Sequence, residues 1–256
     1  MFGAIAGDII GAPFEFASKK STEFPLFSPR SEFTDDTVLT IAVADALLNG
    51  LDLVDTLKRY TNQYPHRGYG GGYKSWAASD SKEPYNSWGN GSAMRTSAVG
   101  LLFSTRSEIL DAARECAAVT HNHPHGIHGA QAVALSIFMA RQGASKKEIR
   151  AEISQLCGYD LNATIDQIRP AYAFNESCQG SVPQSIIAFL ESTDFEDAIR
   201  LAVSLGGDAD TMACIAGGIA EAFYGGVPDH ILQETKDRLP QEFLSIIEQV
   251  YRRAAA

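Results

Sequence analysis

The amino-acid sequence predicts an all-α fold. The runs Val38 to Leu48 and Gly129 to Arg141 place apolar residues at three- and four-residue spacing, the period of a helix with one buried face. Segments with the alternating pattern of a strand are sparse, and several further apolar runs are introduced by Ser, Asp or Pro, residues that open helices. In chain order the helices are expected over Val38 to Leu48, Leu53 to Tyr64, Ser107 to Val119, Gly129 to Arg141, Lys146 to Cys157, Pro183 to Leu190, Phe195 to Leu205, Thr211 to Tyr224 and Gln241 to Arg253. The helix from Thr211 is rich in small residues, Ala213, Ala216, Gly217, Gly218 and Ala220. Its glycines weaken it intrinsically but let neighbouring backbones approach, so it is expected to be central and buried. Two stretches lack a helical period, Ser18 to Phe33 and the glycine-rich Pro65 to Met94. The second carries Tyr69, Tyr73, Trp76, Tyr85 and Trp88, and that aromatic content argues for an ordered, functional loop.

At 256 residues, 45% hydrophobic and 20% charged, the chain is expected to fold as one domain spanning 1–256. A formal charge of −10 argues against a broad phosphate-tracking surface, hence against non-specific nucleic-acid binding. A local cation site would still hold an anionic ligand by bridging. No segment reaches the roughly 18 apolar residues that span a bilayer, and no basic region precedes the apolar N-terminal stretch; the expectation is a cytoplasmic monomer without membrane contact. Cys116, Cys157, Cys178 and Cys214 show no Cys-x-x-Cys spacing and read as free thiols, mostly buried.

Two acidic clusters, Thr34-Asp35-Asp36-Thr37 and Asp208-Ala209-Asp210-Thr211, lie about 170 residues apart, each opening an apolar run. Either alone is accounted for as a helix cap, since Thr and Asp are ordinary N-cap residues and acids in the first turn gain from the helix dipole. Together they make best sense around hard divalent cations, because clustered carboxylates repel and are costly to desolvate. Oxygen-only donors favour Mg²⁺, Mn²⁺ or Ca²⁺ over zinc.

Glu15 stands between Phe14 and Phe16. Apolar neighbours would raise its pKa, fitting it either to donate a proton to a leaving group or, ionised beside a metal, to orient water; a surface glutamate on a turn is the plainer alternative. Asp8, in Gly7-Asp8-Ile9-Ile10-Gly11, reads as a cap or a bridge to nearby backbone. Ser87-Trp88-Gly89-Asn90-Gly91-Ser92 offers unhindered amides ahead of a helical Ala93-Met94-Arg95 start, a turn able to cradle phosphate oxygens. Trp88 would stack on a base or plug the core. Four of the six histidines fall between His121 and His128, without a common closed zinc spacing, and read as hydrogen-bonding groups lining a cleft.

Five segments in this order resemble the ADP-ribosylglycohydrolase family over almost the whole chain: Gly3 to Asp8 with Glu15, Phe33 to Thr37, Tyr85 to Arg95, Thr120 to Pro124, and Gly206 to Thr211. The resemblance implies a compact orthogonal helical bundle with a dinuclear metal site in a central cleft. It implies two Mg²⁺ (or Mn²⁺) ions held by Thr34, Asp35, Asp36, Asp208, Asp210 and Thr211. It places the ligand on Ser87, Trp88, Gly89, Asn90, Gly91, Met94, His121 and Gly126, with Trp88 as the adenine-stacking ring. The implied reaction cleaves the glycosidic bond between the distal ribose of ADP-ribose and an acceptor, through an oxocarbenium-like transition state. Glu15 is then the proton-transfer residue, assisted by Asp36 or Asp35, and Asp80 is a further candidate acid. The partner is an ADP-ribosylated protein or nucleobase, or a small ADP-ribose conjugate. A non-catalytic ADP-ribose binding module and a two-metal phosphohydrolase are the alternatives.

Overall fold

Residues 1–255 are described by the computed structural model, and its centre is a pair of helices in backbone contact. Helix α1 (Phe2–Gly11) lies against a helix near the C-terminal end, Ala209–Tyr224, and the contact is made by small residues four apart. A Cβ added at Gly3, Gly7 or Gly11 would lie 2.3, 2.0 and 2.4 Å from the carbonyl oxygens of Gly217, Ala213 and Ala209. Every residue of α1 is buried. Helix α1 was not among the expected helices, because three glycines in ten residues lower helix propensity. Tertiary packing overrides that preference.

Because the atom facing Gly7 is backbone, it cannot rotate away. Gly7→Ala is expected to destabilise the fold by about 1–3 kcal/mol or more. An unchanged urea midpoint would contradict the close packing of these two helices.

The remaining helices follow in chain order: α2 (Asp35–Asn49), α3 (Leu53–Gln63), α4 (Gly71–Ala77), α5 (Gly91–Met94), α6 (Ser97–Leu102), α7 (Arg106–Ala118), α8 (Pro124–Arg141), α9 (Lys146–Cys157), α10 (Ile165–Ile168), α11 (Cys178–Glu191), α12 (Phe195–Ser204), α13 (Ala209–Tyr224), α14 (Asp229–Lys236) and α15 (Gln241–Ala254). Among the described residues no strand forms; Gly89 and Ser177 make an isolated antiparallel bridge. The all-α expectation holds, and α13 is central as its small residues implied. Among the described residues no helix is long and apolar enough to cross a membrane. Cys116, Cys178 and Cys214 are buried free thiols, and Cys157 is partly buried.

Several boundaries differ from expectation. Helix α8 starts at Pro124 rather than Gly129, because His123 Nδ1 accepts from the His125 amide and Pro124 fits the first helical turn. Helix α11 starts at Cys178, capped by Ser177, so Pro183 lies inside it rather than opening it. The stretch Pro65 to Met94 is not wholly irregular: it contains α4 and ends in α5. A ladder of rings orders it, with centroids 5.6 Å apart from Tyr69 to Tyr73 and from Tyr73 to Trp76, and 6.4 Å from Trp76 to Tyr85. The Ser18 to Phe33 stretch stays irregular but is pinned, Arg200 donating to the carbonyls of Thr22 and Phe24.

Candidate active site

Both acidic clusters sit where helix N-termini meet one cleft. Thr34 caps α2, with Asp35 and Asp36 in its first turn; Asp208 precedes α13, with Asp210 in its first turn. The two helices bring residues 175 positions apart into contact, since the Thr211 hydroxyl donates to Asp36 Oδ2 at 3.2 Å. Glu15, in the turn that follows α1, completes the group: oxygens of Glu15, Asp208 and Asp210 all lie within 4.8 Å of one another. The same cleft is lined by Asp35, Asp36 and Thr211, and its volume is about 200 Å³, below the roughly 300–1,000 Å³ of sites that enclose a whole drug-sized ligand.

Asp8 is the brace beneath. Fully buried on α1, it accepts from the Thr34 amide (3.0 Å) and hydroxyl (2.7 Å), and from the Thr37 amide (3.1 Å) and hydroxyl. The bridging role read for it is therefore met at the start of α2. Thr34 Oγ1 also accepts from the Asp36 amide at 3.3 Å. On the opposite side Asn90 donates to Asp208 Oδ2 at 2.6 Å and to Ser181 Oγ at 3.1 Å, which fixes the carboxylate plane.

Among the described residues, none of the six cleft carboxylates, Glu15, Asp35, Asp36, Glu176, Asp208 and Asp210, forms an ion pair with a lysine or arginine. Burial, followed by the charges of neighbouring carboxylates, holds Asp35, Asp36 and Asp210 well above the usual carboxylate range. Glu15 is pushed up to about 7 by burial, then by Asp208 and Asp8. Asp36 Oδ1 is buried without a hydrogen-bond partner. An unneutralised set of hard oxygen donors, one of them orphaned, fits a divalent cation.

A stability consequence follows. For these acids the folded-state pKa lies above the unfolded value, 3.8 for aspartate, so the folded chain holds protons more tightly. Their contribution is present below that value and is lost as pH rises through the raised values; for Glu15 the window runs from 4.5 to about 7. Cation-free protein is therefore expected to show a lower melting temperature at about pH 7.5 than at about pH 5, and Mg²⁺ to raise it more at the higher pH. A Mg²⁺ shift no larger at pH 7.5 than at pH 5 would contradict this.

The glycine turn forms another wall. Ser87, Gly89, Asn90, Gly91, Met94 and His121 all line the cleft. Asn86, ahead of the turn, has φ 56°, which asparagine tolerates better than most residues. Gly126 lies behind the wall, not on it: a Cβ there would come within 2.8 Å of His121 Cβ and of the Ser87 carbonyl oxygen, so it permits three segments to close together. Trp88 is 54% exposed, its ring 5.6 Å from that of His123, and it is neither a lining residue nor a core plug. Asp80 is exposed and is not one of the residues that line the cleft. His123 serves as the α8 cap, and His125 and His128 do not line the cleft.

Lining residues that carried no local signal include Arg95, Phe174 and Glu176. The last two arrive because the Asn90 amide donates to the Glu176 carbonyl (2.8 Å) and the Cys178 amide to the Trp88 carbonyl (2.9 Å). No pattern in either segment announces that pairing.

The ADP-ribosylglycohydrolase family model matches residues 1–256. The chain is similar to a mouse protein named ADP-ribosylhydrolase ARH3, at 29% identity with 87% of this chain and 82% of the relative covered. It is similar to a Pseudomonas putida protein named ADP-ribosylarginine hydrolase Tri1, at 24% identity with 94% and 78% covered. A solved structure titled ADP-ribosylglycohydrolase-related protein complex superposes with a TM-score of 0.75 at 26% identity, covering 98% of this chain and 95% of that one.

Proposed function

Because the chain belongs to the ADP-ribosylglycohydrolase family, we propose that it hydrolyses the glycosidic bond between the distal ribose of an ADP-ribosyl group and the group it modifies. The observation that carries this reading is the convergence, in one cleft, of six unneutralised carboxylates with the glycine turn Ser87 to Gly91. Thr34, Asp35, Asp36, Asp208, Asp210 and Thr211 would hold two Mg²⁺ or Mn²⁺ ions. Divalent cations bound there supply positive charge for the ribose hydroxyls and make water a better nucleophile near neutral pH.

The chain's own residues do the rest. Asn90 holds Asp208, and Asp8 holds the start of α2, so the donors are oriented in advance. The turn Ser87 to Gly91 takes the diphosphate, with no Cβ at Gly89 or Gly91 to block its approach. Glu15 handles proton transfer at the scissile bond, its raised pKa placing it near the working pH.

The acceptor is read as a modified protein side chain, arginine first. Exposed Phe16 follows Glu15 directly and stacks on Phe174, centroids 5.9 Å apart, with Glu176 on the same cleft. A flat cation suits rings beside a carboxylate. The test is time-resolved release from arginine-, serine- and nucleobase-linked ADP-ribose, with Mg²⁺ and with EDTA. Mg²⁺-dependent release of free ADP-ribose, fastest from the arginine linkage, is expected. Release of inorganic phosphate instead would convert the reading to a phosphohydrolase; tight ADP-ribose binding with no release would make it a binding module.

A further inference from the structure

Arg95 has no accessible surface, yet it lines the cleft and pairs with no carboxylate. Its Nη2 donates to the Cys116 carbonyl and to Thr120 Oγ1, each at 2.8 Å, while Nε and Nη1 are buried without partners. A buried guanidinium left this incomplete is costly, and such groups call for an explanation beyond packing.

The explanation lies two bonds away. Thr120 is fully buried, and its hydroxyl oxygen has two neighbours within hydrogen-bonding distance: Arg95 Nη2 and His121 Nδ1, the latter at 2.7 Å. Arg95 can only donate, so the hydroxyl proton has a single acceptor in reach, His121 Nδ1. That nitrogen is then unprotonated, and the neutral ring carries its proton on Nε2. Nε2 points at the glycine turn, 3.6 and 3.4 Å from where Cβ atoms of Gly89 and Gly91 would stand. The Arg95 charge acts on the ring, and Tyr85 stands beside it, 5.9 Å between ring centroids. Burial first, then the Arg95 charge, holds the imidazole well below its usual range, in keeping with a neutral ring.

We propose that Arg95 is a positioning residue: through Thr120 it locks His121 in the Nε2–H tautomer, so that the glycine turn presents a fixed neutral N–H donor to the anionic part of the ligand. This rests on the reading that the turn takes the diphosphate of an ADP-ribosyl group. A free imidazole samples both tautomers and protonates near neutral pH; the relay removes both freedoms before the ligand arrives.

The experiment is a long-range ¹H–¹⁵N correlation spectrum of the full-length ¹⁵N-labelled protein between about pH 5.5 and 8, with and without ADP-ribose. In the free wild type the His121 ring is expected to show Nε2 protonated and Nδ1 as an acceptor throughout. Thr120→Val is expected to mix or reverse the tautomers and to weaken ADP-ribose binding about tenfold or more; Thr120→Ser, which restores the hydroxyl, keeps both. Arg95→Lys, which loses the planar fork, is expected to mix the tautomers. A wild-type ring protonated on Nδ1, or titrating near 6.5, overturns the relay even if ADP-ribose moves its resonances. An unchanged tautomer in Arg95→Lys removes Arg95 from it. The expected tautomer with resonances unmoved by ADP-ribose, and Thr120→Val binding as tightly as wild type, overturns instead the role of the turn as the ligand site.

Discussion

Asp208→Asn is expected to abolish turnover, lowering kcat/KM by about three orders of magnitude or more. The residue stands at the crossing of two networks: its carboxylate groups with those of Glu15 and Asp210, and it is oriented by the Asn90 amide at 2.6 Å. An asparagine there keeps the size and loses the charge, so the neighbouring carboxylates face a weaker reason to hold a cation. Charge stabilisation of this kind is worth several kcal/mol, and each ~1.4 kcal/mol is a factor of ten. The protein itself is expected to be no less stable without cation, since one of the repelling charges is gone. The measurement is the rate of ADP-ribose release set beside a melting curve; loss of activity accompanied by loss of fold would assign Asp208 to structure instead.

Glu15→Gln is expected to lower kcat by roughly 10²–10⁴-fold, leaving ADP-ribose affinity within a few-fold. Glu15 lines the cleft from a turn and makes none of the hydrogen bonds that hold the acidic helix starts, which run through Asp8, Thr34, Asn90 and Thr211. Removing its charge should therefore spare the binding wall. The cation-free carboxyl sits at about 7 through burial and the repulsion of Asp208 and Asp8. Bound cations counter that repulsion, so the corresponding limb of the wild-type pH profile is expected below 7, and it should vanish in the variant. An unchanged rate would exclude Glu15 from proton transfer.

What could be read in the sequence was what local chemistry announces. Thr34-Asp35-Asp36 and Asp208-Ala209-Asp210 open helices in the structure, the first through the Thr34 cap and both with an acid in the first turn, and their pairing was inferable because clustered carboxylates repel and are costly to desolvate. The order of the Pro65 to Met94 stretch was legible from its rings, though not α4 inside it. Helix α1 was hidden because Gly3, Gly7 and Gly11 read as helix breakers until Gly217, Ala213 and Ala209 are seen against them. Phe174 and Glu176 were hidden because their place depends on two backbone hydrogen bonds to a distant turn. Trp88 was assigned a stacking role by motif; its ring is exposed beside His123. Arg95 could not be read at all, since nothing in Met94-Arg95-Thr96 says that its charge will be buried without a counter-ion.

The central claim is that the two acidic helix starts hold a pair of cations on which hydrolysis depends. It is tested most directly by stripping the protein of metal and following ADP-ribose release against the number of Mn²⁺ ions bound per chain, counted by electron paramagnetic resonance. Two ions per chain are expected, with a coupled-pair spectrum and activity that appears as the second binds. Full activity in the stripped protein, or saturation of activity with no ion bound in the cleft, would contradict it.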